Sequence, residues 1–189
     1  MNRSYLQKFQ IKDVVFLAIM SAVALATCAV MPLVISLQPL IFGISQLVTA
    51  LQIGVFFAIG LYKVRKPGSL LIMALMMGLI QLMMSPPMFL SSVLNGVLIE
   101  LIVLLLFRGY EKDAAVFVAA MLHTPLSLPF NYLYNRLIKG ADSPLAAVAD
   151  RAPLAAVGMT LAVIAVSALG ALIGIKTARE LKKSGVLKK

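Results

Sequence analysis

The 189-residue sequence has no tryptophan, a single cysteine (Cys28) and a single histidine (His123). One cysteine permits no intrachain disulfide. One histidine beside it cannot furnish a transition-metal site of several ligands, so no metal and no cofactor are expected. Acidic side chains are also scarce, seven Asp and Glu against seventeen Lys and Arg. No His-Glu-x-x-His, Gly-x-Ser-x-Gly or Walker-type phosphate loop occurs, and each of those would have carried a defined chemistry. An enzyme would have to work with Glu100, His123 and little else. Charged residues amount to 13% and hydrophobic ones to 61%, where a soluble domain carries about 25% and about 45–50%. One core of this size could not hide so much apolar surface from water. These figures describe an integral membrane protein.

The net charge of +10 does not imply a nucleic-acid partner. The basic residues form short clusters between long neutral stretches, the pattern that anionic lipid head groups and the insertion machinery read. About 20 mostly apolar residues span a bilayer as a helix, and six stretches qualify. They run over residues 13–35, 39–62, 68–85, 88–107, 114–132 and 153–175. Their apolar runs are continuous, without the alternation of a barrel strand. The expected fold is therefore all-α, one domain (1–189) of six transmembrane helices with no internal repeat. The first stretch is too long for the apolar part of a signal peptide and is expected to remain as a helix. Fourteen of the basic residues lie at the N-terminus, the second and fourth connections and the C-terminus, against only Arg136, Lys139 and Arg151 on the other side. That bias places both termini in the cytoplasm. The long fifth connection, 133–152, is external, and the basic tail 176–189 is expected to continue as a helix along the membrane surface.

Polar residues inside spans are costly, which makes them informative. Glu100 stands alone in an apolar run, and depth counting puts His123 at a similar level, so the two could meet. They would form either a ligand-binding or proton-sensitive pair, or a buried hydrogen bond that fixes helix packing. Gln46, Gln81, Asn95 and Asn131 come from four helices and fall in the outer half, with Tyr132 at the same level. Singly, each amide serves as interhelical glue; as a set, they suggest an outward-opening pocket for a small polar molecule. In the first helix Ala18, Ala22 and Ala26 repeat every four residues, a smooth stripe that lets another helix approach closely.

With these features in place the sequence resembles the substrate-binding S-components of energy-coupling factor (ECF) vitamin transporters. Those are six-helix membrane proteins whose first helix carries an Ala-x-x-x-Ala stripe, matched here by Ala18, Ala22 and Ala26. Within that group it is similar to the YkoE-type component, associated with thiamine or its hydroxymethylpyrimidine precursor. The matching stretches are Arg65-Lys66-Pro67-Gly68, Asn95-Gly96 followed by Glu100, and Ser184-Gly185-Val186-Leu187. Where the YkoE-type pattern has a carboxylate late in helix three, this sequence has Gln81. The resemblance implies capture of a vitamin-like small molecule from outside. It also implies partnership with a coupling transmembrane subunit, docked on the alanine stripe, and with two ABC ATPases. Expected ligand contacts are Glu100, Asn95, Gln81, Gln46, His123, Asn131 and Tyr132. The competing classes are a stand-alone proton-coupled carrier using Glu100, and a membrane enzyme or scaffold.

Overall fold

The computed structural model describes residues 8–28, 33–34, 36–140 and 143–187. Among them are seven α-helices and no strand: α1 (Ile11–Thr27), α2 (Ile44–Val64), α3 (Ser69–Leu82), α4 (Pro86–Phe107), α5 (Asp113–Leu137), α6 (Pro144–Arg151) and α7 (Pro153–Lys183). Four of these, α2, α4, α5 and α7, are long and apolar enough to cross a membrane; α3 is apolar but only 14 residues long. Proline sets the starts of α4, α6 and α7, because its missing N–H is not needed in a first helical turn. Left-handed residues set several ends. Gly43 and Gly68 precede α2 and α3, and Arg65 and Arg108 follow α2 and α4.

The boundaries depart from the sequence-based expectation in instructive ways. α1 stops at Thr27 and α2 starts at Ile44, with turns over 36–43 between them. The remainder of the expected first span includes 29–32 and 35, which lie outside the described residues. The supposed external loop 133–152 is largely helical, since α5 runs on to Leu137 and α6 follows. The basic tail stays helical as far as Lys183, as an unbroken continuation of α7. Polar residues within these stretches do not end the helices: α5 passes through Asn131, Asn135 and Arg136, and α7 through Lys176, Arg179 and Glu180.

The helices α2 and α7 form the tightest pair. Gly54 sits against the Ser167 carbonyl, and a side chain on Gly170 or Gly174 would run into the backbone of Leu51 or Val55. Gly170-x-x-x-Gly174 is thus a small-x-x-x-small contact that brings two backbones together. α3 is held between α1 and α4. Ser21 Oγ donates to the Met73 carbonyl (3.1 Å) and Ser92 Oγ to the Ala74 carbonyl (2.9 Å), while Gly96 lies over Ala74. Inside α5, Pro125 cannot donate to the carbonyl of Met121, and Ser167 Oγ of α7 does so instead at 2.7 Å. A freed carbonyl in an apolar surrounding needs such a substitute donor. The outer faces stay apolar, with Leu101, Leu105, Leu161, Leu169 and Ile173 exposed.

One end of the bundle gathers the charges. Asp113, at the start of α5, pairs with Arg65 after α2 and with Arg179 on α7, the latter at 2.5 Å. Lys66 pairs with Asp13 of α1 at 2.7 Å. The guanidinium of Arg65 also reaches the Glu111 carbonyl and lies over the Tyr62 ring, 4.1 Å from its centroid, which holds its left-handed backbone in place. Basic residues far apart in the chain, Arg65, Lys66 and Arg179, therefore meet acidic partners at one end.

Candidate functional site

At the opposite end the helices enclose a cavity of about 640 Å³. The first half of α2 contributes Gln46, Thr49 and Ile53, and the end of α3 contributes Met77 and Gln81. Ser92 and Asn95 come from α4; His123, Thr124, Asn131 and Tyr134 come from α5. Two further segments line the cavity, one through Gln38 and Pro39 and the other through Ser143, Pro144 and Leu145. Both are tied to the wall. Gln38 Nε2 donates to Ser45 Oγ, which donates in turn to Gln46 Oε1 at 2.9 Å. Ser143 Oγ donates to Asn135 Oδ1 at 2.9 Å. Beyond the wall, Asp150 at the end of α6 accepts from Tyr132 OH (2.7 Å) and pairs with Arg136.

The four amides named from sequence, Gln46, Gln81, Asn95 and Asn131, all line this one cavity, and His123 joins them. Asn95 and His123 are almost completely buried, and the imidazole packs against Phe57 with ring centroids 4.5 Å apart. Tyr132 does not line it; its hydroxyl is occupied by Asp150, and Tyr134 takes the wall position.

Glu100 is elsewhere. Its carboxylate accepts from the backbone N–H of Gly68 at 2.6 Å and from Tyr110 OH at 2.9 Å, and it neither meets His123 nor lines the cavity. Counted from Pro86, Glu100 lies about 21 Å along its helix at about 1.5 Å per residue, which carries it past the cavity towards the charged end. The N-terminal N–H groups of α3 have no carbonyl within their own helix, and Glu100 supplies an acceptor there. Tyr110, in the connection between α4 and α5, is fully buried. Burial first, and then the Glu100 carboxylate, hold its phenol protonated far above the ordinary tyrosine range. Glu100 thus stitches three segments of chain at the end away from the cavity.

The alanine stripe lies on the outside of α1. Ala22 and Ala26 are exposed and Ala18 is half-buried, while Leu17, Ser21 and Ala24 on the opposite face are buried. Sequence reading missed the hydroxyls of the wall, Thr49, Ser92, Thr124 and Ser127, and also Asn135. In a helix Ser and Thr can bond their own backbone, so hydropathy gives them little weight. Thr124 follows His123 directly, and that adjacency was the available signal.

The protein is an all-helical bundle with a polar cavity between the ends of four helices, and its fold is similar to that of a solved structure. That structure, described as the crystal structure of an S-component of an ECF transporter, superposes with a TM-score of 0.64. It is 21% identical, over 95% of this chain and 89% of that one. No curated protein sequence matches. The chain belongs to the Trep_Strep family, described as hypothetical bacterial integral membrane proteins, whose model matches residues 11–183.

Proposed function

We propose that this protein is the substrate-capturing membrane subunit of an ECF-type importer, taking up a vitamin or vitamin precursor. The observation that carries the reading is the convergence of Gln46, Gln81, Asn95, His123 and Asn131 on one cavity, within a fold similar to an S-component. In apolar surroundings such groups otherwise act as interhelical glue worth about 0.6 kcal/mol per bond on average. Five of them facing a shared space have a common use in holding a ligand. The basic residues gathered at the far end support a cytoplasmic side for that end by the positive-inside rule, and the reading takes the chain as six spans with both termini inside. The cavity then faces outward, where a nutrient arrives. A thiamine- or pyrimidine-like compound, or another B vitamin, is the substrate class that the sequence resemblance suggests. Release inward would need the coupling subunit and two ATPases. Glu100 is committed to Gly68 and Tyr110, so proton coupling through it is not part of this reading.

The stripe Ala18, Ala22 and Ala26 is the docking face for the coupling subunit. A bulky side chain there would hold the two helices apart and forfeit their close packing. Ala22→Trp is expected to abolish co-purification with the coupling subunit and ATP-driven uptake, while leaving the affinity for the captured molecule nearly unchanged. Native mass spectrometry of the purified chain identifies that molecule, and proteoliposomes containing the whole importer measure uptake. Equal loss of binding and transport would return the stripe to the protein's own interior.

A further inference from the structure

Among the described residues, six buried side-chain polar atoms have no hydrogen-bond partner. Four of them belong to three residues of the cavity wall: Asn95 Oδ1, both ring nitrogens of His123, and Thr124 Oγ1. These residues are 1%, 4% and 3% exposed. Buried polar groups are nearly always paired, so such a cluster marks the place where a bound molecule completes the bonding. The chemistry on offer is mixed. An amide oxygen accepts, a neutral imidazole has one donor and one acceptor, and a hydroxyl does both.

The charges of the wall narrow the ligand further. No Asp or Glu occurs among the described lining residues, and the single charged side chain is Lys139. Aromatic faces are also few, Tyr134 being the only one besides the imidazole among the described lining residues. A cation taken out of water needs a carboxylate or an aromatic box to replace its hydration, and the described residues of this wall supply neither.

We infer that Asn95, His123 and Thr124 form the deep polar subsite of the cavity, and that its ligand carries no positive charge and presents a hydrogen-bond donor and acceptor side by side, as a carboxamide does. The inference rests on the capture reading above and sharpens it, because it separates uncharged precursors from quaternary vitamins such as thiamine.

The test uses the full chain in detergent and two probes of nearly equal shape. Nicotinamide is a neutral carboxamide; 1-methylnicotinamide is its permanently cationic analogue. Thermal-shift titration is expected to show saturable stabilisation by millimolar nicotinamide and none by 1-methylnicotinamide. Thr124→Val keeps the shape and loses the hydroxyl, and Asn95→Leu removes the amide; each should weaken the nicotinamide response about tenfold or more, the factor expected when one well-placed hydrogen bond is lost. Stabilisation by both probes alike, by the cation alone or by neither overturns the inference, as does a full response in both variants. A cationic metabolite released from the purified wild-type chain would also overturn it, while leaving small-molecule capture standing. A chain that releases no metabolite and responds to neither probe loses both.

Discussion

Gly170→Ala and Gly174→Ala are each expected to destabilise the protein, although alanine is the better helix former. By propensity alone the substitution should gain about 1 kcal/mol. Packing opposes it and is larger. A Cβ on Gly170 meets the Leu51 carbonyl oxygen, with the Leu51 carbonyl carbon and Cα at 3.1 Å. On Gly174 it meets the Val55 carbonyl oxygen, the Ala58 Cβ at 2.7 Å and the Val55 Cα at 3.0 Å. These neighbours are largely backbone of α2, which cannot rotate away as a flexible side chain could. Overpacking costs typically about 1–3 kcal/mol and occasionally more, so a net loss results, and Gly170→Leu should prevent folding. Gly158, on the same helix with nothing near its missing side chain, is the control. Gly158→Ala should leave thermal stability unchanged or raise it. Equal, small effects at all three positions would mean that α2 and α7 do not approach as closely as described.

The second large effect belongs to Glu100. Replacing it by alanine removes the acceptor for both the Gly68 N–H and the Tyr110 hydroxyl. An orphaned buried donor costs about 1–3 kcal/mol. Tyr110 is fully buried and Gly68 only partly so, which makes the phenol the larger share. A total of a few kcal/mol is a substantial part of the roughly 5–15 kcal/mol that holds a folded protein together. Glu100→Ala is therefore expected to lower the melting temperature by several degrees, and Glu100→Gln, which keeps one acceptor, by less. Tyr110→Phe in both backgrounds closes a double-mutant cycle, and the coupling between the two positions should be clearly non-zero. Ligand affinity, measured on the same samples, should not change, because the carboxylate lies off the cavity wall. Lost affinity at full stability would restore Glu100 as a ligand contact.

Glu100 and His123 were both recognised as costly residues in apolar helices, and each is indeed buried. Depth counting along two helices then suggested that they meet. Depth fixes position along one axis and says nothing about which way a side chain points around the helix. The structure aims one residue into the cavity and the other at the first turn of α3. The amides fared better because four of them had to be misplaced together for the pocket to vanish. The Gly170-x-x-x-Gly174 spacing was legible in the sequence, but among so many small residues its partner, the backbone of α2, was not.

Composition, apolar runs and the clustering of basic residues determined by themselves that the chain is an all-helical membrane protein, because those properties depend on the solvent each segment must meet. They also determined which polar residues needed an explanation. Only the tertiary structure decided which of those residues share a space and which are spent on one another. It showed that Pro125 frees a carbonyl for Ser167 of α7, that Asp113 draws Arg65 and Arg179 together, and that α6 lines the same cavity as α2 through Pro144 and Leu145. Each brings together segments far apart in the chain. Such contacts depend on helix rotation and close packing, to which hydropathy and spacing are blind.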